Sequence, residues 1–103
     1  MKRRVVWSET ARAEYLAILR YVAERNPDAA LRVAERVEDA GASLGEFATG
    51  RRGRVKDTYE KVVTGLPYIL AYELVPLPEG GEMVAILHII HGARDWPEGE
   101  WPR

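Results

Sequence analysis

Residues 67–91 read PYILAYELVPLPEGGEMVAILHIIH, two apolar runs separated by a short turn sequence. The first run, Pro67 to Val75, is continuous and apolar, which is typical of a central strand buried on both faces. Pro78-Glu79-Gly80-Gly81 supplies turn residues, and the second run, Met83 to His91, returns as another apolar strand. This stretch predicts two adjacent strands at the centre of a sheet.

Shorter strand-like segments precede this pair. Arg4 to Trp7 is β-branched and aromatic, so it reads as an N-terminal strand. Thr49 to Gly53 is a loop by its glycines. The segments Arg54 to Lys56 and Tyr59 to Thr64 follow it, and they are either one bent strand or two.

Two helices lie between the first strand and the loop. Ser8 and Asn26 are side chains that cap helix N-termini, and Pro27 suits a first helical position. Apolar stripes at helical spacing follow each cap: Tyr15, Ile18, Leu19, Val22 and Ala23 in the first helix, and Ala30, Val33, Ala34, Val37, Gly41 and Leu44 in the second. The tight junction predicts an antiparallel helical hairpin.

The order of elements is strand, helix, helix, and then three or four strands. Helices grouped before a run of strands predict an α+β fold, with the antiparallel helical hairpin packed on a three- to four-stranded, mainly antiparallel sheet. No internal repeat or linker is visible, so residues 1–103 are interpreted as a single domain.

The composition restricts the class of protein. Hydrophobic residues make up 47% of the chain and charged residues 30%, which is typical of a globular protein. The chain has no cysteine, and its N-terminal apolar run is too short for a signal peptide. No segment has the length of a membrane span. We therefore expect a cytoplasmic protein without a membrane partner.

Histidine placement argues against a metal site. His88 and His91 are an odd number of residues apart, so on a regular strand they point to opposite faces of the sheet. Without cysteine nearby they do not form a zinc site. Neither a metal nor another cofactor is expected.

One part of the chain is locally basic, although the net charge is −1. Between positions 51 and 61 the only acids are Asp57 and Glu60, against five basic residues: Arg51, Arg52, Arg54, Lys56 and Lys61. This basic strip is either a solvated loop and strand edge or a surface for an anionic partner.

Several motifs resemble the RelE/ParE toxin superfamily, and they occur in the family's order over nearly the whole chain. The matching stretches are Trp7–Ala11, Tyr21–Ala23, Asn26–Ala30, Gly53–Val55, Gly65–Tyr72, Ile86–Leu87 and His91–Trp96. The strand-helix-helix-strands layout predicted above agrees with the family's fold. Each stretch alone is weakly specific, but together they favour the superfamily.

This resemblance implies a growth-arresting toxin encoded beside a small antitoxin, in a gene pair that stabilises plasmids. The antitoxin's C-terminal segment wraps the toxin in this family, so a hetero-oligomer is expected. Two activities occur on the fold. RelE-like members cut mRNA in the ribosomal A site, whereas ParE-like members poison DNA gyrase.

The resemblance implies that the two branches differ in the basic residues of their sites. RelE-like sites carry several Lys and Arg residues on the central strands, with a C-terminal Tyr or His. Thr64, Gly65 and Ile69 stand at or near positions where such residues would be expected. The catalytic candidates under the nuclease hypothesis are Lys61, His91 and Arg94. This partial set favours the ParE-like branch.

The sequence thus predicts a ParE-like inhibitor of DNA gyrase, neutralised by a ParD-like antitoxin. The residues expected to contact the target, rather than to catalyse, are Arg51, Arg54, Lys61, His91, Arg94 and Trp96. The alternative is a RelE-like endoribonuclease that acts on ribosome-bound mRNA. We expect Trp101 to fold back on the sheet or to present a docking surface.

Overall fold

The computed structural model describes residues 2–92 and 99–101. It contains a strand β1 (Val5–Trp7), two helices, α1 (Glu9–Arg25) and α2 (Pro27–Glu46), and four further strands. These strands are β2 (Arg51–Arg52), β3 (Tyr59–Val62), β4 (Tyr68–Pro76) and β5 (Glu82–His91). They form one sheet in the order β1-β5-β4-β3-β2.

The predicted caps fix both helix N-termini. The Ser8 hydroxyl accepts a hydrogen bond from the Ala11 main-chain N–H at 3.0 Å, and it donates one to the Leu87 carbonyl at 3.0 Å. The Asn26 side chain accepts a hydrogen bond from the Ala29 main-chain N–H at 3.1 Å. Both caps satisfy N–H groups that a helix terminus leaves without a partner. Ser8 also ties the start of α1 to β5.

The centre of the sheet is the long antiparallel ladder of β4 and β5, as the sequence predicts. It runs from Tyr68 opposite His91 to Pro76 opposite Glu82. The register shifts between Ala71 and Tyr72, where the partners change from His88 to Ile86, so Leu87 is the extra residue of a β-bulge. The bulge shifts the alternation along β5, so Ile86 and Ile89, three residues apart, both face the helix-covered core.

The α+β class is confirmed, and the sheet is mainly antiparallel as predicted, but it has five strands instead of three or four. The sheet has five strands and is mixed, because β1 pairs with β5 in parallel. Arg54 to Lys56, predicted as a strand, lies instead in a turn, and the short strand β2 is Arg51–Arg52. The turn follows from the main-chain hydrogen bond that Gly53 donates to Thr58.

The helical hairpin packs on one face of the sheet. The predicted stripe of α2 supplies Val33, Val37 and Leu44 to the core, and Gly41 lies against Trp7. The sheet contributes the buried side chains Val63, Leu70, Tyr72, Val84, Ile86 and Ile89. The opposite face of the sheet, called the helix-free face below, carries a smaller apolar cluster: Ile69, Ala71 and Ile90. Among the described residues, no helix is long and apolar enough to cross a membrane.

A tyrosine hydroxyl bridges the two helices. Tyr15 of α1 donates hydrogen bonds to the Ala34 carbonyl at 3.3 Å and to Glu38 Oε2 at 3.0 Å, both on α2. Burial, together with the Glu38 carboxylate, raises the pKa of Tyr15 to about 12. The Trp7 ring lies 5.4 Å from the Tyr15 ring, so the bridge also packs on β1.

Leu44→Ala tests the packing of the hairpin on the sheet. Leu44 is fully buried, so its truncation removes apolar contacts and leaves a cavity. We expect the free energy of unfolding to fall by about 2–5 kcal/mol, measured by urea denaturation. Leu31→Ala on the same helix is the matched control, because Leu31 is 70% exposed and should change stability by at most about 0.5 kcal/mol. Equal effects of the two substitutions would contradict this packing.

Candidate functional site

A buried carboxylate organises the basic strip. Glu60 on β3 is 2% exposed, and both of its oxygens have partners. Oε1 accepts hydrogen bonds from Nε and Nη2 of Arg51, at 3.2 and 3.1 Å. Oε2 accepts a hydrogen bond from the main-chain N–H of Arg54, at 3.0 Å. A buried carboxylate is tolerated only when such donors replace water, so Glu60 fixes these two arginines relative to the sheet.

Two internal hydrogen bonds close the turn between β2 and β3. The Gly53 main-chain N–H donates to the Thr58 carbonyl at 2.8 Å, and the buried Thr58 hydroxyl donates to the Val55 carbonyl at 2.6 Å. A side chain at Gly53 would collide with Thr58, and Asp57 takes a positive φ of 64°. Arg54 and Lys56 are therefore exposed on a turn with a defined shape.

Lys61 lies away from this turn, on the helix-covered side of β3. It is paired with the buried Leu70, and its ammonium donates a hydrogen bond to the Thr49 hydroxyl at 2.9 Å. Lys61 lines a groove of about 310 Å³ between β3 and α2. Arg36 of α2 lines the same groove and donates a hydrogen bond to the Thr64 carbonyl at 2.9 Å.

His91 lies on the same helix-covered face of the sheet, two strands away at the end of β5. It is paired with Tyr68, and the two rings meet edge to face with their centroids 5.7 Å apart. His91 lines a different groove, of about 500 Å³, between α1 and the sheet. Strand β4 and its buried residue Leu70 therefore separate Lys61 from His91.

The ladder registers give the separation of these two candidates. Lys61 is opposite Leu70, Leu70 is opposite Ile89, and His91 is two residues further along β5. Two strand spacings and two residue rises place the Cα atoms of Lys61 and His91 about 12 Å apart. The structure thus brings Arg51 and Arg54 together through Glu60, and it places Lys61 and His91 in separate grooves.

Two predicted site residues, Arg94 and Trp96, lie outside the described residues. Trp101 is described, and it packs on Ile69, Ala71 and Ile90 of the helix-free face. The main-chain N–H of nearby Gly99 donates to the Arg54 carbonyl at 2.7 Å. The prediction that Trp101 folds back on the sheet is confirmed, and this C-terminal segment contacts the same turn that Glu60 organises.

Sequence reasoning missed an interaction at the edge of β5. Glu14 of α1 accepts a hydrogen bond from the Ile89 main-chain N–H at 3.1 Å, and its other oxygen lies 3.3 Å from His88 Nδ1. The His88 ring is 4.5 Å from the Trp101 ring. His88 and His91 pair with Ala71 and Tyr68, on opposite faces as predicted. The described residues contain no group of three His, Cys, Asp or Glu residues that could hold a metal.

The roles of Glu60 and Glu14 are not evident from the sequence. Glu60 occupies a strand position that pairs with buried Ala71, so an acid there breaks the apolar alternation, and this was the one available signal. Glu14 lies in an ordinary helical sequence, and its role depends on a sheet edge 75 residues away.

A protein-family model matches most of this chain. Residues 5–96 match the model of the ParE toxin of the type II toxin–antitoxin system parDE. The chain belongs to the ParE toxin family. It is therefore a toxin of a type II toxin–antitoxin system, as the motifs quoted above predicted.

Two curated relatives of this ParE-family toxin are named as toxins, and one of them carries a RelE name. A putative toxin, Y4kP, of Sinorhizobium fredii is 35% identical over 98 residues, covering 94% of this chain and 96% of the relative. Toxin RelE2 of Caulobacter vibrioides is 36% identical over 91 residues, covering 87% of this chain and 96% of the relative. Family membership therefore does not by itself select gyrase or mRNA as the target.

A solved structure supports the fold. The chain is similar to a chain of the chromosomal ParDE system from P. aeruginosa, with a TM-score of 0.75 and 19% sequence identity. The similarity covers 87% of this ParE-family toxin and 96% of that chain. The α+β architecture with two helices on one sheet face is thus the architecture of a known toxin–antitoxin structure.

Glu60→Gln tests the organisation of the basic turn. The substitution keeps the shape of the side chain but removes the charge that Arg51 and the Arg54 N–H bind. We expect the free energy of unfolding to fall by about 1–3 kcal/mol in urea denaturation. We also expect faster hydrogen exchange at the Arg54 amide.

Glu79→Gln is the matched control, because Glu79 is exposed in the turn between β4 and β5. It should leave both measurements unchanged within about 0.5 kcal/mol. Unaltered exchange at Arg54 in Glu60→Gln would show that the carboxylate does not fix the turn.

Proposed function

We propose that this ParE-family toxin arrests growth by binding DNA gyrase, and that a ParD-like antitoxin neutralises it and represses the operon. Toxin and antitoxin form a hetero-oligomer in the cytoplasm, where gyrase acts. The observation that carries the proposal is the separation of Lys61 from His91, the two described candidates for RNA cleavage.

RNA cleavage without a metal needs several groups at one phosphate. One group activates the 2′-hydroxyl, another protonates the leaving oxygen, and each must come within about 3 Å of its proton. Lys61 and His91 line different grooves, with strand β4 between them. The Lys61 ammonium binds Thr49 and the His91 ring packs on Tyr68, so in this structure the two side chains are not directed at a common phosphodiester. The pair is therefore not preorganised for acid–base catalysis.

The basic turn suits a contact role instead. Arg51 is 58% exposed, and it uses two groups, Nε and Nη2, to bind Glu60. An arginine has five N–H donors, so Arg51 retains donors for a partner while its position is fixed. Arg54 and Lys56 are exposed on the closed turn beside it. A cationic surface held in one shape loses little entropy when it binds an acidic surface of a protein.

The second candidate function is RelE-like cleavage of ribosome-bound mRNA. The observation that favours it is the 36% identity with the toxin named RelE2. Under this hypothesis Lys61, His91 and Arg94 would act on mRNA, with the ribosome positioning the substrate.

Two parallel assays of the purified toxin test the proposal. The first measures DNA supercoiling by gyrase and trapped cleaved DNA, and the second measures cleavage of mRNA in the ribosomal A site. We expect loss of supercoiling with trapped cleaved DNA, and intact mRNA. A-site cleavage with unaffected gyrase would overturn the proposal in favour of the second candidate.

Arg54→Ala refines the gyrase assay. Its main-chain N–H still binds Glu60, so the turn should keep its shape while it loses one guanidinium. We expect about tenfold weaker inhibition of gyrase, the effect of removing one arginine contact. Arg32→Ala, at an exposed position of α2, is the control and should inhibit like the parent chain. Equal inhibition by both variants would remove the turn from the target-binding surface.

A further inference from the structure

The groove between α1 and the sheet has an apolar floor and an aromatic wall. Residues 14, 17, 18 and 21 form one stripe of α1, and the groove lies between this stripe and the end of β5. Ala17, Ile18 and Ile89 supply apolar lining, and the rings of Tyr21 and Tyr68 supply aromatic lining. Its volume of about 500 Å³ lies in the range of pockets that bind small molecules or side chains.

Among the described residues that line this groove, Glu14 is the one carboxylate. Glu14 lines it, and His91 adds a third ring, but no lysine or arginine is among the described residues that line it. Each Glu14 oxygen faces one nitrogen, that of the Ile89 main chain or of the His88 ring. A carboxylate accepts about four hydrogen bonds, so Glu14, whose side chain is 36% exposed, keeps acceptor capacity.

We propose that this groove binds a basic side chain, an arginine or a lysine, presented by a protein partner. The aliphatic stem of such a side chain packs on the apolar floor, and its cation lies between the Tyr68 ring and the Glu14 carboxylate. A nucleic-acid phosphate is disfavoured, because it would meet the Glu14 carboxylate and no lysine or arginine among the described lining residues. The assignment does not require gyrase as the target, but cleavage of mRNA by His91 would place a phosphate in this groove and would contradict it.

One aromatic wall of the groove already binds a cation of this chain. The Arg25 guanidinium lies over the Tyr21 ring, 3.8 Å from its centroid, while its Nη1 donates to the Tyr21 carbonyl at 3.2 Å. The Tyr21 ring thus already binds one cation, although Arg25 is not among the described residues that line the groove. For this reason the partner's cation is assigned to the Glu14 and Tyr68 end.

The test uses the full-length toxin and two probes that differ in charge alone. N-acetyl-arginine amide is titrated into ¹⁵N-labelled toxin and followed by NMR, and N-acetyl-citrulline amide is the uncharged isostere. We expect the arginine probe to shift the Ile89 and His91 amides and to bind about tenfold more tightly than citrulline. Equal affinities of the two probes would overturn the proposal.

Substitutions locate the binding site. Glu14→Gln retains an oxygen for the Ile89 N–H but loses the charge, so it should weaken arginine binding about tenfold and leave citrulline binding unchanged. Glu24→Gln, at an exposed position of the same helix, is the matched control and should bind arginine like the parent chain.

A second variant keeps the test decisive if Glu14→Gln disturbs the fold. Tyr68→Leu keeps an apolar side chain but removes the ring, and it should weaken arginine binding severalfold. Unchanged arginine binding in Tyr68→Leu, or tighter binding of N-acetyl-glutamate amide than of the arginine probe, would show that the groove is not a site for a cation.

Discussion

The helical hairpin packs on one face of the sheet and buries it. This one-sided packing determines which side chains are left for the opposite face and for the sheet edges. Val33, Val37 and Leu44 of α2 meet the inner side chains of β4 and β5. Two helices of this length cover one side of a small sheet, so the opposite face keeps its own apolar residues. Trp101 covers part of that face.

The polar interactions described above lie mainly at the edges of the sheet, because the helical hairpin covers its face. β1 covers the outer edge of β5 only as far as Ile86, and beyond it the Glu14 carboxylate binds the Ile89 N–H. At the other edge β2 is two residues long, and Glu60 ties the following turn to β3. Each acid satisfies backbone or arginine donors at a place where the sheet ladder ends.

This arrangement separates Lys61 from His91, the two described residues that a nuclease would bring together. The interior between the two grooves is filled by buried side chains such as Leu70 and Ile89, so Lys61 and His91 are held on opposite sides of it. Surfaces of this kind suit binding of a protein partner at several places more than catalysis at one. This geometry is the support for the gyrase proposal.

Local patterns in the sequence predicted the elements that local physics determines. The caps Ser8 and Asn26, the apolar stripes of both helices and the strand pair of residues 67–91 are all present. The parallel pairing of β1 and the turn at Arg54 depend on contacts between distant segments, which no local pattern encodes. Glu14 and Glu60 were missed for the same reason, because tertiary structure alone supplies their partners.

The most direct test of the account is the activity of a Lys61→Ala, His91→Ala double variant. Both side chains are outside the buried core, so the variant should fold, which antitoxin binding and thermal unfolding would verify. We predict that the folded double variant still traps cleaved DNA on gyrase, with at most a partial loss of potency. Complete loss of activity in a folded double variant, together with A-site mRNA cleavage by the parent chain, would contradict it.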